Sequence, residues 1–196
     1  MQELQTGLWH WEARHPDWTP SHTDDWGPEV SCYAIDDGDR LLLIDPLALP
    51  DEIAVLTTSR ETAIVLTCAW HDRDARPLAQ RLDATVFVPE PEEGDPIEGR
   101  RLFSAGHRLP VGVEALAGSA ENDLSLWIEG RRALAVGDTL IDRGRGLELP
   151  DDWLPDGVTR EQAVETLRPL LELPIELVLT THGQPADRAA LERALA

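Results

Sequence analysis

The sequence predicts an α/β domain built from layers of sheet and helix. Two pairs of short apolar runs, each pair joined by turn residues, are typical of β-hairpins. Between and after them, strand-like runs alternate with helix-like segments, which is the pattern of helices covering a sheet. The 196 residues can bury a core of their own, and no break in composition divides them. A single domain over residues 1–196 is therefore expected.

The first half of the chain contains four apolar runs of strand length. They lie at residues 30–35, 41–44, 64–66 and 85–88. The acidic turn around Gly38 joins the first two runs and predicts a hairpin. Residues 76–82, between the last two runs, have the composition of a helix.

The second half of the chain continues the pattern. A turn containing Gly130 joins apolar runs at residues 124–128 and 133–136 and predicts another hairpin. Thr159 and Gln162 have the spacing of a capping box, so a helix is expected from there to about residue 173. A buried strand and a terminal helix are then predicted at residues 175–180 and 185–195.

Residues 1–29 form a Trp-rich segment with little periodicity. Its prolines argue against a helix, and we expect a lid-like segment whose indole rings pack on the rest of the domain. His15, which precedes a proline, is the histidine expected to line a pocket. His10 and His22 are expected to be surface or packing residues.

The composition restricts the partners of the protein. A formal net charge of -20 makes nucleic acid and anionic membranes poor partners, since both repel an acidic surface. The N-terminus lacks the basic and apolar regions of a signal peptide, and two cysteines are too few for a disulfide framework. We expect a cytoplasmic protein that takes a small-molecule substrate or ligand. A homodimer is compatible with the sequence.

Four predicted strands end in residues capable of chemistry. Their carboxyl ends are followed by Asp45, by residues 67–74, by Asp138 and by His182. Each taken alone fits a turn or a helix cap. Because ligands collect at the carboxyl ends of strands in layered α/β proteins, together they indicate a zinc or iron site at one sheet edge.

The order of these motifs resembles the metallo-β-lactamase fold superfamily from about residue 30 to the C-terminus. Leu43-Ile44-Asp45-Pro46, Ala135-Val136-Gly137-Asp138 and Thr180-Thr181-His182-Gly183 are similar to three of its conserved strand ends. The resemblance implies a four-layered αββα sandwich. It also implies that Asp45 supports the metal loop by hydrogen bonding, that Asp138 is the bridging metal ligand, and that His182 is the last histidine ligand.

The metal loop departs from the superfamily pattern Thr-His-x-His-x-Asp-His. With Thr67 in register, Cys68 and Trp70 replace two histidines, and Ser119 stands where a third is expected. Those three positions hold the first metal of a dinuclear site, so the resemblance implies that this half is lost.

The second half of the metal site is better preserved. Asp72, Asp138 and His182 match superfamily ligands, whereas Arg73 replaces the final loop histidine. The resemblance therefore implies at most one ion of zinc, iron or manganese. His71 or Asp74 would complete its ligands.

A metal-free site is the alternative, because Arg73 carries a permanent charge suited to pairing with carboxylates. Its guanidinium could stand where an ion would bind, between Asp72 and Asp138.

If an ion binds, the resemblance implies hydrolysis, with Asp72 as the catalytic residue that orients or deprotonates water. Superfamily substrates include lactams, thioesters, phosphodiesters, lactones and sulfur species, and the sequence does not choose among them. A catalytically inactive protein that binds a ligand or partner is a second hypothesis, since Trp70 would fill the substrate cavity. Nucleophilic catalysis by Cys68 with His71 is a third, and it requires an exposed thiol.

Overall fold

The computed structural model describes residues 1–21 and 26–196, so His22 lies outside the described residues. The strands are β1 Gln2–Gln5, β2 Leu8–Arg14, β3 Glu29–Asp36, β4 Arg40–Ile44, β5 Glu61–Val65, β6 Thr85–Pro89, β7 Arg101–Phe103, β8 Arg108–Leu109, β9 Val113–Ala120, β10 Asp123–Ile128, β11 Ala133–Ala135, β12 Ile141–Asp142, β13 Leu147–Glu148, β14 Leu177–Leu179 and β15 Ala186–Asp187. The α-helices are α1 Asp51–Leu56, α2 Ala75–Leu82, α3 Arg160–Leu167 and α4 Arg188–Ala194. Short 3₁₀ helices cover Pro110–Gly112, Glu129–Arg131, Asp151–Trp153 and Arg168–Glu172.

The strands form two large sheets and one small one. The first sheet has seven strands in the order β1-β2-β3-β4-β5-β6-β7, and the second has six in the order β15-β14-β11-β10-β9-β8. Strands β12 and β13 pair separately. The two large sheets pack face to face with helices outside them, which is the expected αββα sandwich.

Alternate residues along each strand face the two sides of a sheet, and β4 shows how this divides the core. Leu42 and Ile44 belong to the cluster between the two sheets. Leu41 and Leu43 point the other way, into the layer that contains Ile53 of α1. A third cluster lies between the second sheet and helices α3 and α4. Three continuous apolar layers therefore hold the four structural layers together.

Most predicted elements are present, with differences at their ends. The Thr159 hydroxyl accepts a hydrogen bond from the Gln162 backbone and the Gln162 side chain accepts one from Thr159, so the capping box is confirmed. The α-helix ends at Leu167 and continues as a 3₁₀ helix, earlier than expected. Pro169 lies at the start of that 3₁₀ segment and has no N–H to extend an α-helix.

The N-terminal segment differs from the expected lid. Its first half forms the hairpin β1–β2, and β2 pairs with β3 along its whole length, so residues 2–14 are part of the first sheet. The Trp11 indole is buried and donates a hydrogen bond to the Leu47 carbonyl. His10 is buried beside Ser31, which makes it a packing residue. The lid interpretation missed the alternation of β2 because most of its residues are aromatic or charged.

Parallel pairing brings the polar strand ends to one edge of the sandwich. Strand β4 runs parallel to β5, and β11 runs parallel to β14. The residues that follow these strands lie at the same edge, and the Ser31 N–H donates to the Thr181 carbonyl across the two sheets. No helix within residues 1–21 and 26–196 is long and apolar enough to cross a bilayer.

Candidate metal centre at the sheet edge

A cavity of about 500 Å³ opens at this edge. It is lined by His15, Trp26, Trp70, His71, Arg73, Ser119, Ala120, Asp123, Asp138, Trp153 and His182. His15 lines the cavity as the sequence predicted, and its ring makes an edge contact with Trp26. Chain segments from both sheets and from the N-terminal region therefore contribute to the walls.

Asp45 anchors the loop that follows β5. One carboxylate oxygen accepts a hydrogen bond from the Thr67 N–H at 2.8 Å, and the other lies 3.2 Å from Nδ1 of His71. Asp45 itself has a φ of 46°, in the left-handed region. The buried carboxylate thereby fixes both the loop backbone and the orientation of the His71 ring.

Asp138 lies between two histidine rings. Its Oδ2 is 3.3 Å from Nε2 of His71, and its Oδ1 is 3.3 Å from Nε2 of His182. The indole N–H of Trp70 also donates to Oδ2 at 2.8 Å. Asp138 Oδ1 and His182 Nδ1 are buried without a hydrogen-bond partner. Two imidazoles thus share one carboxylate, and polar atoms in this group are left unsatisfied.

Aromatic rings cover His182. The ring of Trp26 packs at a centroid distance of 4.9 Å and that of Trp153 at 5.5 Å. Arg143 stacks on the second of these rings, Trp153, with its guanidinium carbon 5.1 Å from the ring centroid. These contacts hold His182 against Asp138 and keep water from most of its surface.

The buried carboxylate of Asp123 lies beside Asp138. Asp123 accepts hydrogen bonds from the Cys68 thiol at 2.9 Å and from the Asp138 N–H at 3.2 Å on one oxygen. Its other oxygen accepts from the hydroxyls of Thr139 at 2.7 Å and Ser119 at 3.1 Å. A Cβ on Gly137 would lie 2.4 Å from Asp123 Oδ1, so only glycine fits this close approach.

The charges of these groups depend on one another. Burial alone would lower the pKa of His71, but the carboxylates of Asp138 and Asp45 outweigh it and raise that pKa to about 9. Burial raises the pKa of Asp138, but the charge of His71 and the neighbouring imidazole of His182 hold that pKa well below its ordinary value. Burial lowers the pKa of His182. The site therefore holds a fixed negative charge between the two imidazoles.

The pKa values of Asp123 and Cys68 are raised, whereas the pKa of Asp138 is lowered. Burial and the neighbouring Asp138 charge raise the pKa of Asp123 to about 6. Burial, and then the charge of Asp123, raises the pKa of the Cys68 thiol well above its ordinary value. The thiol is fully buried and acts as a hydrogen-bond donor, so the structure does not provide the exposed nucleophile that the third hypothesis required.

Within the described part of the chain, one group of three residues has donor atoms close enough to hold an ion. Cys68, His71 and Asp138 each offer an atom, and these atoms lie within 4.8 Å of one another. His182 lies next to the same group on the other Asp138 oxygen.

A family model described as the metallo-β-lactamase superfamily matches residues 63–182. The chain belongs to the metallo-β-lactamase superfamily. No curated protein matches the sequence. The matched residues run from β5 to His182 and so include the metal loop, Asp138 and His182.

Solved structures share the fold of this chain. A metallo-β-lactamase family protein from Thermus thermophilus is 18% identical, with a TM-score of 0.70 over 98% of this chain and 78% of that one. FIM-1 from Pseudomonas aeruginosa, solved in a mono-zinc form, is 15% identical, with a TM-score of 0.69 over 98% of this chain and 91% of its own. A protein solved in a di-iron-bound form is 24% identical, with a TM-score of 0.63 over 86% of this chain and 95% of that one.

Two of the loop residues expected as ligands lie outside the site of this superfamily member. Asp72 is exposed and does not line the cavity. Its backbone carbonyl accepts a hydrogen bond from the N–H of Ala75, the first residue of α2. The Asp74 carboxylate accepts a hydrogen bond from the Ala48 N–H at 2.7 Å, away from the cavity. The structure therefore does not bring Asp72, expected to be catalytic and a ligand, or Asp74, expected to be a ligand, into the cavity with Asp138. His71, one position before Asp72, occupies the site instead.

Arg73 does not stand in for an ion. Its Nη1 donates to the carbonyl oxygens of Asp45 at 2.8 Å and Ser31 at 3.3 Å. Asp138 pairs with the two histidines rather than with this guanidinium. Arg73 has a φ of 33°, in the left-handed region. It supports the loop, and the proposed ion-pair network with Asp72 and Asp138 is absent.

Sequence reasoning missed Asp123 and Trp153. The search considered the carboxyl ends of strands, whereas Asp123 begins β10. Because β10 runs antiparallel to β11, its start lies beside the end of β11, where Asp138 follows. The hairpin predicted around Gly130 therefore already implied that Asp123 lies close to Asp138. Nothing in the local sequence of Trp153 distinguished it from a surface residue.

Proposed function

We propose that this protein is a metal-dependent hydrolase of small molecules that uses a single divalent ion held by Asp138 and His71, with His182, on the other Asp138 oxygen, as a further ligand. The observation that carries the proposal is the Asp138 carboxylate, which has a buried imidazole 3.3 Å from each of its oxygens. Membership of the metallo-β-lactamase superfamily makes hydrolysis the reaction class to test first.

The chemistry of the donor set fits one ion. Two imidazoles and one carboxylate are donors that zinc and non-haem iron accept. Bonds of the usual length around a tetrahedral zinc place neighbouring nitrogen and oxygen ligands about 3.3 Å apart. Nε2 of His71 lies at this distance from Asp138 Oδ2. His182 lies at the same distance from the other oxygen, Oδ1. The unsatisfied Asp138 Oδ1 is also consistent with an ion at this place.

The residues that hold the His71 ring from behind support the same assignment. Asp45 accepts from Nδ1 of His71, so Nε2 of that ring is directed at Asp138. A carboxylate behind a histidine is a common way to set the tautomer and orientation of a metal ligand. Thr67 fixes Asp45 in turn, through its N–H and hydroxyl.

An ion at this place would supply Lewis-acid polarisation of a carbonyl or phosphoryl group and make a water molecule more acidic. The chain's own residues perform the remaining tasks. Trp26 and Trp153 exclude water around His182, and Trp70 orients the Asp138 carboxylate. A cavity of about 500 Å³ is in the size range of small-molecule sites.

A non-catalytic ligand-binding protein is the second candidate, and Trp70 favours it. The indole is 42% exposed, lines the cavity and already donates to the carboxylate that an ion would use. In that case the site binds a ligand through its aromatic walls without hydrolysing it.

Zinc titration of metal-stripped protein separates the two candidates. We expect one zinc per chain in the wild type and in Asp72→Ala, and none in Asp138→Ala or His182→Ala. Asp72 is the matched control because it is an aspartate next to His71 whose side chain is exposed and does not line the cavity. Zinc-loaded wild type should then hydrolyse members of a panel of esters, thioesters, lactones and phosphodiesters. Absence of zinc binding in the wild type would reject the hydrolase proposal in favour of the second candidate.

A further inference from the structure

Cys68 is a buried side chain at the metal centre that the proposed ligand set does not use. It lies three residues after the end of β5, is fully buried, and has its Sγ within 4.8 Å of a donor atom on both His71 and Asp138. The other cysteine, Cys32, lies in the core layer between the first sheet and its helices, with its Sγ 3.8 Å from the Leu47 carbonyl oxygen. The chain therefore has one thiol at the centre and one away from it.

The surroundings of Cys68 hold its sulfur in place. Leu124 N–H donates to the Thr67 carbonyl, and Cys68 forms a bridge with Asp123, so the backbone on both sides of the thiol is tied to β10. A Cβ on Gly137 would lie 2.9 Å from the sulfur, so the glycine leaves only enough space for the thiol. The thiol also donates to Asp123 Oδ1 at 2.9 Å, so this conformation has its sulfur held beside His71 and Asp138.

We propose that Cys68 is a thiolate ligand of the ion, alongside His71 and Asp138. This inference rests on the proposed function and adds a ligand that sets which metal the site takes. On binding, the S–H bond breaks, its proton leaves to solvent, and a bond from sulfur to the divalent ion forms, with no change of oxidation state.

A thiolate in the ligand set predicts selectivity among metals. Soft thiolate with imidazole favours zinc and its analogue cobalt, whereas magnesium and calcium prefer oxygen ligands. The site should therefore retain zinc in the presence of a large excess of magnesium. A structural role, in which Cys68 only donates its hydrogen bond to Asp123, predicts no sulfur contribution to the spectrum of a bound metal.

Cobalt(II) titration of the metal-stripped full chain tests the inference by absorption spectroscopy, with bound cobalt measured separately by equilibrium dialysis. We expect one cobalt per chain and a near-ultraviolet band from thiolate-to-cobalt charge transfer. The band should persist in Cys32→Ser and vanish in Cys68→Ser. The chain has two cysteines, so a band in Cys32→Ser assigns the ligand to Cys68 even if Cys68→Ser fails to fold.

The outcomes distinguish this inference from the proposed function. One bound cobalt without the band, or a band that disappears in Cys32→Ser, overturns the thiolate ligand and leaves the single-ion site standing. Absence of cobalt binding overturns both proposals together. The band present in wild type and Cys32→Ser supports the inference.

Discussion

The Oδ2 atom of Asp45 lies 3.2 Å from Nδ1 of His71, so a residue at the end of β4 orients a ring that follows β5. We expect Asp45→Asn to weaken zinc binding by about 10- to 100-fold, because the ring loses its charged acceptor and its fixed orientation. Competition with a chelator of known affinity measures this. Asp74→Asn is the control, since its carboxylate binds the Ala48 N–H outside the cavity. Equal affinity in wild type and Asp45→Asn would contradict a supporting role for Asp45.

The Trp70 indole should matter through its N–H rather than its bulk. Trp70→Phe keeps an aromatic ring but removes the 2.8 Å hydrogen bond to Asp138 Oδ2. Because one hydrogen bond of this kind contributes about 0.5–1.5 kcal/mol, we expect zinc to bind about 2- to 10-fold more weakly. Tighter binding in Trp70→Phe would mean instead that the indole competes with the ion for the carboxylate.

Gly137 should be among the least replaceable glycines of the chain. Its φ is 54°, and an added Cβ would collide with Asp123 Oδ1 at 2.4 Å and with Cys68 Sγ at 2.9 Å. We expect Gly137→Ala to lower the free energy of unfolding by about 2–4 kcal/mol. Gly144→Ala is the matched control because φ is 82° there but nothing lies near the new methyl group. Urea unfolding of both variants measures the difference, and equal losses would refute the close packing around Gly137.

His10 should make the fold sensitive to mild acid. Burial, followed by the charge of the N-terminus, lowers its pKa from 6.5 to about 4. Since the unfolded chain takes up this proton more readily, the stabilising contribution is complete above about pH 6.5. It is lost as the pH falls toward 4. We expect the wild type to lose about 1–2 kcal/mol more stability than His10→Gln between pH 7 and pH 5.

Urea unfolding at the two pH values tests the role of His10. Parallel losses in wild type and His10→Gln would contradict it and would assign the acid sensitivity to other groups. Gln is chosen because it retains a polar group beside Ser31, whose Oγ lies 2.9 Å from Nε2 of His10.

The order of motifs was sufficient to predict the fold. Runs such as residues 41–44 and 133–136 are long enough to identify as strands. Parallel pairing of β11 with β14 places Asp138 and His182 together, and packing of the two sheets adds Asp45 to the same edge. Short or polar strands carried no such signal. Strand β9 contains Gly118, and β2 mixes tryptophan with histidine and glutamate, so neither alternates clearly between apolar and polar residues.

The residues of the metal loop could not be assigned by register alone. Alignment with the superfamily pattern favoured Asp72, whereas the structure brings in His71. The deciding contact is the hydrogen bond between His71 and Asp45, which lies 26 residues earlier in the chain. Likewise, the Arg73 charge suggested a carboxylate partner, but two backbone carbonyls are nearer. Contacts between residues that are far apart in the chain cannot be predicted from the spacing of residues within one loop.

The single-ion site is the central claim, and anomalous X-ray diffraction at the zinc absorption edge tests it most directly. Crystals of protein loaded with zinc should give one strong anomalous peak per chain, in contact with Asp138, His71 and His182. Crystals of Asp138→Ala loaded with zinc in the same way should give no anomalous peak at this place. A wild-type map without a peak at this edge of the sandwich, or with its peak on other residues, would contradict the account.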